Sequence, residues 1–136
     1  MAELTLSIRK SVPTDLQRIK ELIAENPETV LSRSDSELIE LLESFLVLEE
    51  EGIVVGCCCL EVYSQKIAEL RTLAVAKSCR GRGYGPKLVH AIVDEFNRKG
   101  IRQLLVVTSN PEFFANLNFG PCLNEKFALF WNGHYK

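Results

Sequence analysis

The spacing of apolar residues along the 136-residue chain switches between the period of a strand and the period of a helix. Residues 4–8 alternate apolar and polar side chains, which predicts a half-buried strand. Two stretches with helical period follow, each behind a capping-box pattern, at Thr14–Gln17 and Ser34–Glu37. The apolar residues of these stretches are Leu16, Ile19, Leu22, Ile23, Leu38, Ile39, Leu41 and Leu42. The pattern predicts one strand followed by two helices.

The rest of the chain carries apolar runs typical of buried strands, interrupted by one long amphipathic helix from about Pro86 to Lys99. A short helix is predicted in the segment "PEFFANL". The predicted strands are Phe45–Glu49, Ile53–Glu61, Lys66–Ala76, Gln103–Val107 and Lys126–Trp131. The resulting order, β-α-α-β-β-β-α-β-α-β, predicts an α/β protein in the broad sense, or α+β by a stricter definition.

Composition and charge narrow the class of protein. The chain is 46% hydrophobic and 25% charged, which is ordinary for a globular protein, and residues 1–136 are expected to form a single domain. A net charge of −2 gives no argument for nucleic-acid binding. Residues 1–30 show no secretory signal, and the longest apolar run, Ile53–Leu60, is too short to span a membrane. A cytoplasmic protein is predicted.

Five cysteines are present, three of them consecutive at Cys57–Cys59. Successive side chains of a strand point to opposite faces, so this triplet cannot converge on one metal ion. No CxxC spacing occurs. The cysteines are therefore interpreted as small buried hydrophobes in a reducing compartment, and no metal site is expected.

The stretch Arg80–Gly85, "RGRGYG", stands immediately before the long helix. Glycines leave backbone N–H groups uncovered, and the positive end of a helix favours anions. Residues 77–87 contain four basic side chains and no acidic one. Neither the P-loop pattern nor the dinucleotide pattern GxGxxG is met, since Pro86 follows the last glycine and the spacing is GxGxG. The stretch indicates a pyrophosphate-binding loop, and its composition also fits a surface turn before a helix.

With these residues the chain resembles the GNAT superfamily of N-acetyltransferases. Arg80, Gly83 and Gly85 match its signature of Arg or Gln, two residues, Gly, one residue, and Gly or Ala, and "AELRTLAV" matches the usual preceding strand. Four segments resemble the acetyltransferase domain of bacterial N-acetylglutamate synthases: Val30–Leu38, Ile67–Val75, Leu104–Phe119 and Leu123–Asn132. The resemblance implies a GNAT fold with a mixed, mostly antiparallel sheet of six to seven strands flanked by about four helices. The synthases carry an amino-acid kinase-like domain in front, which 136 residues cannot accommodate. A free-standing relative of their acetyltransferase domain is therefore expected.

The resemblance also implies acetyl-CoA as the co-substrate. In the superfamily the loop amides hold the pyrophosphate, the preceding strand pairs with the pantetheine arm, and backbone N–H groups of that strand polarise the thioester carbonyl. The cofactor-binding residues that it implies are Leu73, Ala74, Val75, Arg80, Gly81, Arg82, Gly83, Tyr84 and Gly85.

Glu69, in the strand before the loop, is the candidate catalytic base, since GNAT enzymes often place there a glutamate that deprotonates the amine through water. The alternative is a carboxylate that faces solvent. Many GNAT enzymes also have a tyrosine that protonates the leaving thiolate, and Phe114 stands at that position here. The synthases resemble this chain in having Phe there, so the acid stays unassigned. Asn118 replaces the usual glycine and suits a left-handed turn.

Acceptor binding is expected to involve Arg33, Ser109 and Asn110. Arg33 matches an arginine that in the synthases holds a substrate carboxylate, and a guanidinium suits that group through paired hydrogen bonds. A solvated arginine before a helix is the alternative. Ser109 stands where the synthases have a second arginine, which puts glutamate as the acceptor in doubt.

The sequence therefore predicts an N-acetyltransferase that acts on a small amine, such as an amino acid or another carboxylate-bearing amine. Two alternatives stay open: an acyl-CoA-binding sensor module with little turnover, and an acetyltransferase of a protein amine. No nucleic-acid or membrane partner is predicted. The synthases have one more strand after the segment that matches residues 127–136, and an uncovered sheet edge would favour a homodimer.

Overall fold

The structure, a computed structural model, describes residues 4–121. These residues form five strands and four helices, with three short 3-10 turns between them. The strands are β1 (Leu6–Lys10), β2 (Phe45–Glu50), β3 (Ile53–Val62), β4 (Ile67–Val75) and β5 (Gln103–Leu105). The helices are α1 (Leu16–Ala24), α2 (Asp35–Leu41), α3 (Tyr84–Arg98) and α4 (Pro111–Ala115).

The five strands make one mixed sheet in the order β1-β2-β3-β4-β5. The first four run antiparallel to their neighbours, and β5 runs parallel to β4. The expected mixed, mostly antiparallel sheet is confirmed, whereas the expected number of six to seven strands is wrong for the described residues, which form five. The strand predicted at Lys126–Trp131 lies outside the described residues.

Local sequence signals set the start of α2 as predicted, but not the start of α1. Ser34 Oγ accepts a hydrogen bond from the Glu37 N–H, and the Glu37 carboxylate accepts one from the Ser34 N–H, each at 3.2 Å. Ahead of α1 the chain makes a 3-10 turn instead, and Asp15 accepts from the Val12 N–H at 2.8 Å. Asp15 is also bound to Arg9 at 2.7 Å, which lowers the pKa of the Asp15 carboxyl. The cap expected at Thr14 is therefore wrong, and Asp15, which pairs with Arg9 of β1, stands at the N-cap of α1 instead.

The core lies on both faces of β3. A Cβ added to Gly56 would lie 2.9 Å from Leu88 Cδ1, so this face of β3 packs against α3. Side chains alternate along a strand, so Cys57 and Cys59 point to the opposite face, on the side where α1 packs. The largest fully buried side chains include Phe45, Ile19, Leu22, Leu38, Leu48, Leu88 and Ile92. Burial of apolar area on both faces holds the sheet between the helices.

Strand β4 departs from regular geometry at Thr72. Cys57 pairs with Ala74 and Cys59 pairs with Arg71, so two β4 residues oppose a single β3 residue, which is a β-bulge. Thr72 has a φ of 56°, a left-handed conformation that is rare for a β-branched residue. Such strain persists only where the surroundings hold it in place.

The pairing of β4 with β5 is short. Three residue pairs join them, the last being Glu69 with Leu105, although β4 continues to Val75. Beyond this pair the two strands separate, and the backbone of β4 from Leu70 onward lacks a partner on that side among the described strands. The predicted strand to Val107 therefore ends two residues earlier, because no ladder continues there.

Candidate active site

A cavity of about 530 Å³ opens where β4 and β5 separate. It is lined by residues 69–73 of β4, residues 106–110 of the loop after β5, the segment before α2 and the start of α4. Five of the residues predicted from the sequence meet here: Arg33, Glu69, Leu73, Ser109 and Asn110. The fold thus places the candidate base and the candidate acceptor-binding residues in one space.

Glu69 does not face open solvent. Its side chain is 15% exposed, and its Oε1 accepts a hydrogen bond from the phenol of Tyr63 at 2.6 Å. Arg71 Nε lies 4.0 Å from the same oxygen. Among residues 4–121, no donor is hydrogen-bonded to Glu69 Oε2. The carboxylate is held through Oε1, and Glu69 also lines the cavity.

Arg33 is almost completely buried, with a side chain that is 5% exposed. Its Nε donates to Thr72 Oγ1 at 2.9 Å, and its Nη1 lies 3.5 Å from a carboxylate oxygen of Glu37 on α2. The bond to Thr72 ties the guanidinium to the strained bulge of β4. The burial excludes the solvated arginine, and the guanidinium lies in the cavity wall.

Ser109 and Asn110 lie on the opposite wall, in the loop after β5. Both are exposed and both line the cavity. The Asn110 side chain also accepts from the Phe113 N–H at 3.3 Å and caps α4. No basic side chain from this loop reaches the cavity, because the residues 106–110 that line it are uncharged.

The glycine-rich loop follows the free end of β4. Gly81 and Gly83 have φ values near 80°, a conformation that glycine adopts without steric cost. Within residues 4–121, the N–H groups of residues 81–83 donate to no backbone carbonyl. Gly83 is the N-cap of α3, a helix of 15 residues, and Pro86 falls in its first turn. Free N–H groups beside the positive end of a long helix suit a phosphate.

The loop arginines turn away from the N–H groups. Arg80 donates to Asn26 Oδ1 at 2.6 Å and to the Glu25 carbonyl at 3.2 Å, at the end of α1. Arg82 pairs with Glu50 at 2.7 Å. Tyr84 is 4% exposed, so its ring belongs to the core. The predicted cofactor-binding residues that do not line the cavity are Ala74, Val75, Arg80, Gly81, Arg82, Gly83, Tyr84 and Gly85.

Asn26 was not singled out from the sequence, yet it joins three parts of the site. Its Nδ2 donates to the Leu22 carbonyl at 2.8 Å and to the Val75 carbonyl at 3.1 Å, and its Oδ1 accepts from Arg80. The side chain therefore connects the end of α1 with the end of β4 and with the loop. Asn26 is 6% exposed, so its hydrogen bonds are made away from water.

Replacing Asn26 with Ala is expected to lower the free energy of unfolding by about 2 kcal/mol, because two buried acceptors and a guanidinium lose a partner. Urea unfolding measures this change. Asn97→Ala, at an exposed position of α3, is the matched control and should change the free energy by less than about 0.5 kcal/mol. Equal losses in the two variants would contradict the role given to Asn26.

Aromatic residues of α4 join the cavity to the loop. Phe113 lines the cavity, and its Cζ would lie 3.4 Å from a Cβ added at Gly85. Phe114 is buried and packs edge-to-face on Phe113 and on Phe119, with ring centroids 4.9 and 5.4 Å away. Asn118 has a φ of 70°, so the predicted left-handed turn is confirmed. Phe114 shapes the wall of the cavity and carries no proton to donate.

The cysteines behave as buried hydrophobes in the described structure. Cys57, Cys58, Cys59 and Cys79 are free and buried. Burial raises the pKa of the Cys57 and Cys59 thiols to about 12. In the described part of the chain, no group of three His, Cys, Asp or Glu residues is arranged to hold a metal ion. Cys122 lies outside it.

Three comparisons with known proteins bear on this geometry. Residues 16–119 match the model of the acetyltransferase (GNAT) family. An N-acetyltransferase of Chlorobaculum tepidum, CT2212, is 34% identical over 98 residues, which are 72% of this chain and 63% of that protein. The amino-acid acetyltransferase of Neisseria meningitidis is 31% identical over 121 residues, which are 86% of this chain and 28% of that protein. The chain thus spans less than two thirds of these relatives.

Two solved structures are also similar to this chain. Rv2747 from Mycobacterium tuberculosis, in complex with CoA, superposes with a TM-score of 0.80 at 28% identity and covers 86% of this chain and 73% of that one. N-acetylglutamate synthase from Neisseria gonorrhoeae, complexed with coenzyme A and N-acetyl-glutamate, has a TM-score of 0.78 at 30% identity. The match covers 85% of this chain and 28% of that one.

None of the helices that the structure describes is long and apolar enough to cross a bilayer.

The family model covers most of the chain, and the structure has the strand, loop and helix that the sequence resemblance implies. The chain therefore belongs to the acetyltransferase (GNAT) family.

Proposed function

We propose that this protein transfers the acetyl group of acetyl-CoA to the amine of a small molecule that bears one carboxylate, such as an amino acid with an uncharged side chain. One observation carries the proposal: Glu69 and Arg33 line the same cavity, beside the free end of β4. A base and a cation in one space can hold an amino acid by its two ionic groups, with the amine toward Glu69 and the carboxylate toward Arg33.

The cofactor would occupy the free side of β4 and the loop after it. The pyrophosphate would accept hydrogen bonds from the N–H groups of residues 81–85, and the pantetheine arm would lie along Leu73–Val75. The thioester would then reach the cavity, where backbone N–H groups of β4 can polarise its carbonyl. Holding both substrates in this way lowers the entropic part of the barrier.

The charges that line the cavity support an acceptor with one carboxylate. Among the described residues that line it, the charged ones are Arg33, Arg71 and Glu69. Arg71 is paired with Glu61 at 2.8 Å, whereas Arg33 has only a longer contact, at 3.5 Å, with the exposed Glu37. Arg33 is therefore the cation proposed to bind an incoming anion. The cavity wall at Ser109 is uncharged, whereas the sequence resemblance places an arginine of the synthases at this position. A second carboxylate would lose its water there without gaining an ion pair.

The test is a panel of acceptors incubated with acetyl-CoA, with free CoA and acetylated product measured by chromatography and mass detection. Neutral amino acids, their amides, glutamate, and a peptide amine make the panel. Neutral amino acids should react and their amides should react at least tenfold more slowly. Reaction of the peptide alone would favour a protein substrate, and binding of acetyl-CoA without any product would favour a sensor module.

Arg33→Lys is expected to raise the KM for the carboxylate-bearing acceptor about tenfold, because an ammonium cannot make the paired hydrogen bonds of a guanidinium. The Kd for CoA should not change. Steady-state kinetics and calorimetry measure the two constants. Arg102→Lys, at an exposed position, is the control and should leave both as they are. An unchanged KM in Arg33→Lys would refute the acceptor site.

The compartment and the assembly are proposed on separate grounds. The four free, buried thiols fit a reducing compartment, and we place the protein in the cytoplasm. The homodimer predicted from an uncovered sheet edge stays a prediction, and sedimentation analysis would measure it.

A further inference from the structure

Tyr63, at the turn between β3 and β4, is a residue that the proposed function does not use. Its phenol oxygen lies 2.6 Å from Glu69 Oε1 and 3.1 Å from Glu61 Oε2. A phenol has one proton to donate, and two ionised carboxylates can only accept. The shorter contact identifies Glu69 as the acceptor of that proton.

The negative charge of Glu61 is balanced by Arg71, so Glu61 already has a donor other than the phenol of Tyr63. Arg71 Nη1 lies 2.8 Å from Glu61 Oε2, and Arg71 Nε lies 4.0 Å from Glu69. These four side chains form one network on the hairpin of β3 and β4. Because they belong to a single hairpin, the network can form with the hairpin itself, and its geometry does not depend on a distant element.

We propose that Tyr63 is a positioning residue for Glu69, whose phenol fixes one carboxylate oxygen and leaves Oε2 for the acceptor amine. This inference rests on the proposed role of Glu69 as the base. In the reaction, the amine proton moves to Glu69, directly or through a water molecule, while the phenol keeps its own proton. Burial and the hydrogen bond to Glu69 raise the pKa of Tyr63 to about 12, so the phenol stays a donor over the working range.

The other groups that face Glu69 belong to the strands and segments around the cavity. From β3 these are Glu61 and Cys59, whose thiol is neutral because burial raises its pKa to about 12. From β4 the facing group is Arg71, and Arg33 lines the same cavity from the segment before α2. The described wall formed by residues 106–110 adds no charge.

Tyr63→Phe removes only the hydroxyl of a half-exposed side chain, so the fold should be kept. Without the phenol, the Glu69 carboxylate is no longer held toward the acceptor amine, so kcat should fall about tenfold while the KM for acetyl-CoA stays unchanged. Glu40→Gln, on an exposed face of α2, should leave both constants in place.

A second measurement does not need turnover. In 13C-labelled protein at neutral pH, the chemical shift of the side-chain carboxyl carbon of Glu69 should differ between Tyr63→Phe and the unaltered chain, because the carboxylate loses the donor that lies 2.6 Å away. Equal chemical shifts would overturn the inference, whatever the activity. If Glu69→Gln keeps full activity, the base assignment fails instead; if it loses activity while Tyr63→Phe keeps the original kcat, only the role of Tyr63 fails.

Discussion

Gly83→Val should raise the Kd for CoA by about a hundredfold, a loss of roughly 2.7 kcal/mol of binding free energy. Gly83 has a φ of 80° at the N-cap of α3, a conformation that costs an L-residue about 1–2 kcal/mol and a β-branched one more. A Cβ there meets no protein atom within 4 Å, so it would enter the open space over the loop, where the pyrophosphate is expected. Isothermal titration with CoA measures the change.

Gly52→Val is a close control for this substitution. Gly52 also has a φ of 80° and open space around its missing Cβ, but it lies in the turn between β2 and β3. Both variants should unfold at similarly lowered temperatures, and only Gly83→Val should lose affinity for CoA. If both bind CoA as the unaltered chain does, the glycine-rich loop does not hold the cofactor.

Glu69→Gln should lower kcat by about 10²- to 10³-fold, because the amine then loses the group that takes its proton. The amide keeps the shape of the carboxylate and can still accept the hydrogen bond from Tyr63, so the fold and the cavity should persist. Acetylation is measured with the acceptor that reacts best in the panel. The Kd for CoA should stay within about twofold of its original value.

The control for Glu69→Gln is a charge-matched substitution outside the cavity. Glu40→Gln, again, changes the net charge equally but lies on exposed α2. A kcat for Glu69→Gln close to that of Glu40→Gln would remove Glu69 from the mechanism.

Local sequence patterns predicted most of the fold, since the elements rest on short-range signals. The capping box at Ser34 formed as expected, and β4 differs from its predicted bounds by one residue at each end. Errors arose where a contact outside the element mattered. Asp15, at the start of α1, pairs with Arg9 of β1, and β5 stops at Leu105, where its pairing with β4 ends. The mixed sheet and the position of the glycine-rich loop before α3 could be predicted from the order of the elements alone.

The candidate site was predicted in part. The residues that carry its chemistry, Glu69 and Arg33, were proposed from residue type and resemblance, and both lie in the cavity. Their partners could not be read from a pattern, since Arg33 contacts Thr72 across 39 positions and Asn26 contacts Arg80 across 54. Tyr63 lies six positions from Glu69 on the same hairpin. Aligning the residues of β3 with those of β4 across the turn would have suggested the contact between Tyr63 and Glu69.

The short ladder between β4 and β5 has a thermodynamic consequence. If the pantetheine arm lies against the free side of β4, the cofactor takes the place of a missing length of strand, and the sheet is complete only in the complex. Ligand binding and folding are then linked, and cofactor at a hundred times its Kd would add about 2.7 kcal/mol to the free energy of unfolding. The resistance of this protein to unfolding and proteolysis inside a cell would rise and fall with the supply of acetyl-CoA.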